Sequence, residues 1–509
     1  MEIMPKHVAA GPLTPTLSHK EPVNLSRLPA PPDQLLIAAR GIGVIFSLRQ
    51  GLGTAMSADR GLFAELADQI VAQPELGAAP AARLRTAQRD QPEFQVVDLE
   101  SLLPPDHQAR AVWLLVAGLD LSALLAPIKA REGEPGRPPA DPKILLALWL
   151  YATLEAVGSA RELARLCEAH VAYRWLCGGV SMNHHTLADF RVAQVALLDR
   201  LLAQGVASLV SEGLVKLERL AQDGVRIRAS AGSSSYRRRE RLESLLGEAE
   251  ARVAQLKAEL EADPAASTAR QRAARERATR ERIERTNAAL RRMQELEAER
   301  ARREKTDKKR TQRQEAPRAS TTDAEARVMH MPDHGYRPAY NGQFASDPQT
   351  QVIVAVDLDT TGSDVGLMAP MQDRIAETYG QVPQQYLVDG GFSKLDDIER
   401  AHAAGIEVFA PPANNKHQTD PFAPRRDDGP GTAAWRKRMA SEAGKAVYRD
   451  RVKHECINAQ LRNCGVVRLL VRGREKVRAV LLWFAVSHNL RRAMALRCAG
   501  AEPIAATGG

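Results

Sequence analysis

Apolar residues recur at three- and four-residue spacing through most of the stretch from about Asp59 to Gly213. ADPKILLALWLYATLEAV, SARELARLCEAHVAYRWLC and TLADFRVAQVALLDRLLAQGVASLVSEG each carry that pattern, which predicts a nearly all-helical region. Ser159 followed by Glu162 reads as a capping box, Thr186 as the N-cap of a helix that presents Arg191, and GRPPADP as a linker. Ile144 to Leu154 is the longest apolar run and reads as a core helix, because a membrane span needs roughly 18 to 20 such residues.

The period changes at LERLAQDGVRIRAS, where alternating Val225 and Ile227 between Gly224 and Gly232 predict a strand carrying Asp223. From Tyr236 to Glu315 a helical seam returns. Leu242, Leu246, Ala249, Val253, Leu256 and Leu260 alternate at four and three, and after Pro264 the residues Ile283, Leu290 and Met293 resume it. The pattern predicts an antiparallel helical hairpin turning near Asp263 to Ser267, with self-association as the other use of so short a seam.

From Ser320 the chain reads as α/β. YNGQFAS and QVIVAVDLD predict a β-hairpin, and Asp364 reads as the N-cap of the helix GLMAPMQDRIAETYG. YLV is a short strand ending at Asp389 before two glycines; KLDDIERAHAAG is a helix and IEVFAPP the next strand. Residues 412–440 read as a loop over the site. YRDRVKHECINAQLR is a helix, VVRLLV a strand and REKVRAVLLWFAVSHNLRRAM a final amphipathic helix. Residues 1–55 show neither period and read as a disordered leader or a mis-assigned start before Met56. The Ala- and Gly-rich end reads as a disordered tail.

Composition sharpens this outline. A chain of 509 residues with 44% hydrophobic content is long enough for two or three cores. The net charge of +9 and pI near 9.4 favour a polyanionic partner. The segment from Tyr236 to Glu315 holds 23 Lys or Arg against 16 Asp or Glu, and so carries most of that excess. Its end, ARREKTDKKRTQRQ, reads equally as a solvated tail or as a contact to phosphates. Five scattered cysteines argue for a reducing compartment. Cys167, His170, Cys177 and His184 or His185 lack regular zinc-ligand spacing, so buried thiols are the expectation. No secretory signal opens the chain, and a soluble, cytoplasmic protein is expected.

Candidate chemistry gathers on three acids. Tyr448, Arg451, Glu455 and Arg462 stand at relative positions that, on one helix, fall within a sector of roughly 60°. Asp223 and Asp389 each interrupt or end a buried strand. Three carboxylates from two strands and a helix can hold two Mg²⁺ ions, whose remaining ligands are water and phosphate oxygen.

These residues resemble the DDE-type insertion-sequence transposases. Tyr448, Arg451, Glu455 and Arg462 match the spacing Y-x2-R-x3-E-x6-K, with arginine in place of the lysine. Asp223 with Gly224, the D-G-G-F turn from Asp389 to Phe392, AYNGQFASD and STTDAEARVMHM, which contributes Asp323, follow in family order. The likeness runs from about Gln91 to Met494 and is nearest to the IS eleven-eighty-two group.

The resemblance implies a multidomain α + α/β protein. Residues 56–215 would be a helical DNA-binding region, carrying RELARLCEAHVAYRWLCGG and NHHTLADFR. Residues 216–235 and 320–496 would form a ribonuclease-H-like mixed-sheet core, interrupted by a basic coiled-coil insertion at 236–319, with 497–509 as the tail. It also implies Mg²⁺- or Mn²⁺-dependent cleavage and strand transfer on double-stranded DNA, at element ends and target. The metal ligands and catalytic residues would be Asp223, Asp389 and Glu455, and the DNA contacts Tyr448, Arg451 and Arg462. The protein would act as a homodimer on DNA, nucleoid-associated when bound and without a membrane. The alternative is a catalytically inactive, transposase-derived DNA-binding protein.

Overall fold

The computed structural model describes residues 98–500 apart from 132, 134–137, 264–267, 307–314 and 413–419. The readings of residues 1–55, of Met56 and of the helix from Asp59 fall outside the described residues. So do the turn of the hairpin insertion and most of its basic end.

The first part is helical as its periodicity predicts: α1 (Gln108–Ala117), α2 (Ser122–Leu125), α3 (Pro142–Leu154), α4 (Ala160–Ala169), α5 (Val171–Cys177), α6 (His184–Ala193) and α7 (Val195–Ser211). Asp141 caps α3 by accepting from the Lys143 N–H, and Pro142 takes the first helical position, where no N–H is missed. Ile144 to Ala152 are all buried, as a helix apolar on every side requires. No single described helix is long and apolar enough to cross a membrane; α6 and α7 are so only as a pair, bent by 62°.

Ser159 does cap α4, accepting from the Glu162 N–H. Thr186 does not cap α6: Asn183 does, through the His185 N–H, and Thr186 lies in the first turn. Arg191 is not presented outward. Its guanidinium lies 4.7 Å from the Trp149 ring and donates to the Gly158 carbonyl at 2.6 Å, and burial holds it down to about 10. An arginine that covers an indole and satisfies a loop carbonyl is a packing residue.

The sheet begins with β1 (Arg219–Arg228). Next come β2 (Tyr236–Arg237), α8 (Arg239–Ala262), α9 (Ala269–Thr306) and β3 (Ala319–Ser320). β2 and β3 pair antiparallel and close the base of this excursion. Ion pairs Arg239–Glu297 and Arg282–Glu248 show that α8 and α9 run antiparallel. Leu242, Ala289 and Met293 are buried where the pair meets the core, whereas Leu260 at the far end is exposed.

Then follow β4 (Arg327–His330), β5 (Tyr336–Ser346), β6 (Ile353–Asp359), α10 (Met368–Tyr379), β7 (Gln385–Leu387), α11 (Leu395–Ala403) and β8 (Glu407–Phe409). β5 pairs antiparallel with β1, and also with β4 and β6 along successive stretches of its length. On the other side β1 pairs parallel with β7, and β7 with β8. β1 is therefore central, antiparallel to one neighbour and parallel to the other.

The chain ends with α12 (Pro430–Ala440), α13 (Glu442–Arg449), α14 (Val452–Asn463) and α15 (Arg474–Gly500). Three expectations change here. Residues 430–440 are a helix, started by Pro430 and holding Trp435 and Met439 in the core, and not loop. VVRLLV forms no strand; a single backbone bridge between Arg228 and Arg468 joins it to β1, and Val466 and Leu469 are buried in the core. The helix drawn through Tyr448 and Glu455 breaks at Asp450 and Arg451, whose turn uses i to i−3 hydrogen bonds. Asp450 is drawn to Arg219 on β1 and to Lys453, contacts that a continuous helical pattern does not reveal.

α15 joins the helical part to the sheet. Trp483 lies 6.4 Å from Trp149, and Asn489 bonds both the N–H and the carbonyl of Ile353 at 2.8 and 2.7 Å. One hydrophobic cluster runs from Val112 through Trp149 and Phe484 to Phe344 on β5.

Two buried histidines make this junction sensitive to acid. Burial, with repulsion from Arg491 and Arg492, holds His488 down to about 4, and burial with Arg451 and His488 holds His454 down to about 3. Unfolded histidine titrates near 6.5, so the unfolded chain binds more protons as pH falls. The stability is present above about 6.5 and is lost below it, by about 2 kcal/mol per residue at about pH 5. Thermal unfolding of His488→Gln is expected to lose about 2 kcal/mol less stability than the wild type between pH 7.5 and 5; an equal loss contradicts this assignment.

Candidate active site

Asp223 stands midway along β1, paired with Phe344 of β5. Asp389 follows the end of β7 and opens a one-turn 3-10 helix (Gly390–Phe392), accepting from the Gly391 N–H at 2.7 Å. Glu455 lies in the first turn of α14, where a carboxylate is favoured by the helix dipole. Thus the three acids come from three elements.

They converge on Arg451. One guanidinium nitrogen, Nη2, lies 3.3 Å from Asp223 Oδ1 and 3.9 Å from Asp389 Oδ2, while Nη1 lies 3.3 Å from Glu455 Oε1. Asp223 is the most enclosed of the acids, with a side chain 15% exposed, against 41% for Asp389 and 60% for Glu455. Burial, together with the neighbouring Asp389 and Asp364, pushes the Asp223 carboxyl up to about 6 against the pull of Arg451 and the Gly224 N–H. The site is therefore a concentration of negative charge around one cation.

Tyr448 lies at the end of α13 beside this group, half-buried, and burial raises its phenol. Arg462 is exposed on α14, seven residues after Glu455 and hence on the same side of that helix. Tyr448 and Arg451 do not share that helix, so the single-face arrangement holds only for Glu455 and Arg462.

Several participants were not singled out by spacing. Asn458 donates to Asp223 Oδ2 at 2.9 Å and so fixes the carboxylate from α14. Asp364 does not cap α10, whose N-cap is Leu367 without a side-chain bond. Instead its Oδ1 accepts from Asn341 at 2.7 Å and Gln343 at 2.9 Å. Gln343 accepts from Gln222, and Gln222 accepts from Tyr386, which ties β5, β1 and β7 together behind the acids. Amides at alternate positions of an otherwise apolar strand, Asn341 and Gln343, were the available signal. Asp323 lies elsewhere, buried, accepting from Tyr340 at 2.7 Å and from the Gly473 N–H.

Could this donor set hold a divalent ion? Its ligands are all carboxylate oxygens, the hard donors that Mg²⁺ and Mn²⁺ favour. Among the described residues no group of three His, Cys, Asp or Glu is arranged to hold a metal as it stands. The Arg451 guanidinium spans the space between the acids. The chemistry of the donors fits a hard cation, and a cationic group already lies among them. Cys167 and Cys177 are buried free thiols, and His170 caps α5, so the zinc alternative gains nothing.

Comparison with known families supplies an independent line. Residues 97–193 match the Transposase domain (DUF772), and residues 314–490 match the Transposase DDE domain. These matches support a DDE-type transposase. The second takes in Asp389 and Glu455, whereas Asp223 and the helical hairpin fall between the two. No curated protein and no solved structure matches the chain.

Gly224 shows how closely the site is packed. A Cβ there would lie 2.5 Å from Asp364 Oδ1 and from Gln343 Nε2, both held in the amide network. Gly224→Ala is expected to destabilise by about 1–3 kcal/mol in urea unfolding. Gly247→Ala, in open space on α8, should stabilise by about 0.5–1 kcal/mol. Equal effects of the two changes would show that the crowding at Gly224 is not real.

Proposed function

We propose that the chain is a DNA transposase that cleaves element ends and joins them to target DNA through a two-metal site held by Asp223, Asp389 and Glu455. The observation that carries this is the meeting of three carboxylates, from β1, the turn after β7 and α14, on one guanidinium. The strand order, with β1 antiparallel to β5 and parallel to β7, supports a ribonuclease-H-like reading of the core. The paired helices between β2 and β3 support reading residues 236–319 as a coiled-coil insertion.

Mg²⁺ or Mn²⁺ bound by the three acids would favour deprotonation of the attacking oxygen and stabilise charge on the leaving one. In cleavage the water oxygen bonds to phosphorus as the P–O3′ bond breaks, leaving a 3′-hydroxyl on the element. In joining, that hydroxyl attacks a target phosphodiester and displaces a target 3′-oxygen. One P–O bond is exchanged for another, so no further energy source is required. Arg451 and Arg462 contact phosphates of the bound strand, and Tyr448 positions the sugar or base beside the cut. Arg451 thus has two roles in sequence: it neutralises the acids in the free protein and turns to phosphate when other cations take that place.

The direct test is incubation of purified protein with Mg²⁺ and labelled DNA carrying the inverted ends that flank its own gene. Wild type is expected to cut at the ends, and Glu455→Gln to bind them with similar affinity while cutting at least 100-fold more slowly. Binding without cutting by the wild type would instead favour the inactive DNA-binding reading. Arg451→Gln removes the competing cation, and calorimetric titration is expected to show Mn²⁺ binding about tenfold tighter. Unchanged or weaker Mn²⁺ binding contradicts the proposed exchange.

A further inference from the structure

Where the helical hairpin joins the core there is a concentration of cations, separate from the three acids. A cavity of about 640 Å³ lies between α9, the segment after β3 and the loop leading into α15. Arg285, Arg291 and Arg292 of α9 line one side, and Arg472 and Arg474 the other. Arg285, Arg291, Arg472 and Arg474 are exposed and have no carboxylate within 4 Å among the described residues.

The acids of the cavity are otherwise engaged. Glu295 pairs with Arg292 at 2.5 Å, Glu325 accepts from the Arg474 backbone N–H at 2.7 Å, and Asp323 is held by Tyr340 and Gly473. The uncompensated guanidiniums are thus a feature of the folded junction and not of a loose tail.

We infer that this cavity is a binding site for the phosphate backbone of duplex DNA. Arg285 and Arg291 lie six residues apart on α9, about 9 Å along its axis, and Arg472 and Arg474 face them from the core. Donors so spread suit consecutive phosphates of a strand better than one small anion, around which they would have to converge. The lining has no aromatic ring and no large apolar side chain, so nothing in it stacks on a base, and its guanidiniums are left for phosphate oxygens.

The position also bears on the active site. Thr360, which accepts from Arg292 at 3.3 Å, follows directly on β6, and four residues later Asp364 lies against Gly224 beside Asp223. DNA held at the arginines is anchored on the loop that backs the acids. The hairpin, by supplying half of the cavity, acts as a clamp that the core alone lacks.

This inference rests on the reading that the chain acts on DNA, and one experiment separates the two. The probe is a fluorescein-labelled duplex of arbitrary sequence, with affinity measured by anisotropy over a series of KCl concentrations. Arg285→Gln combined with Arg474→Gln is expected to weaken binding at low salt and to make the log–log salt slope shallower by about 2, about one per lost phosphate contact. The charge-matched pair Arg400→Gln and Lys437→Gln, exposed on α11 and α12, should leave the slope unchanged. An unchanged slope in the first variant, or an equal change in both, overturns the site while the wild type still binds and cuts. Failure of the wild type to bind the duplex overturns the site and the DNA reading together.

Discussion

A single guanidinium holds together what would otherwise repel. Asp223, Asp389 and Glu455 bring like charge to one place, and at an effective dielectric constant near 20 each close pair would cost on the order of several kcal/mol without a counter-ion. Arg451 supplies that counter-ion to all three. Its placement depends on the break between α13 and α14, which Asp450 fixes through Arg219 and Lys453.

The rest of the fold keeps the acids where this cation meets them. β1 is paired with β7 up to Ala221 and with β5 through Asp223, whose carboxylate Asn458 also holds. α14 is fastened to the sheet at two points one turn apart, by His454, which lies 2.6 Å from Ser346 of β5, and by Asn458, which holds Asp223. α15 then locks the strands to the helical part through Trp483 and Asn489. Glu455, the most exposed of the three, is also the freest to turn, as a carboxylate must be if it is to exchange an arginine for another cation.

Much of this was legible from residue pattern. Alternation located β1, β5 and β6, the pair of glycines after Asp389 marked the end of β7, and three-four spacing found α3, α7 and α15. The failures share a cause: each depends on a partner distant in the chain. The helix break needs Arg219, more than two hundred residues before Asp450. Arg191 looked like a surface cation because its own helix does not reveal Trp149 beneath it. Asp364 sits at a helix start, where an N-cap is the ordinary expectation, but the amides of β5 and the bare Cα of Gly224 draw it to the site. VVRLLV has the composition of a strand, yet the sheet beside it offers only a single bridge.

The claim on which the account turns is that the acids share a divalent cation in exchange for Arg451. Crystals of the full chain soaked with Mn²⁺ and measured at the manganese absorption edge test it directly. The account predicts anomalous density between Asp223, Asp389 and Glu455, with the Arg451 guanidinium displaced from them. Density confined to other acidic residues, with Arg451 still spanning the three carboxylates at high Mn²⁺, would contradict it.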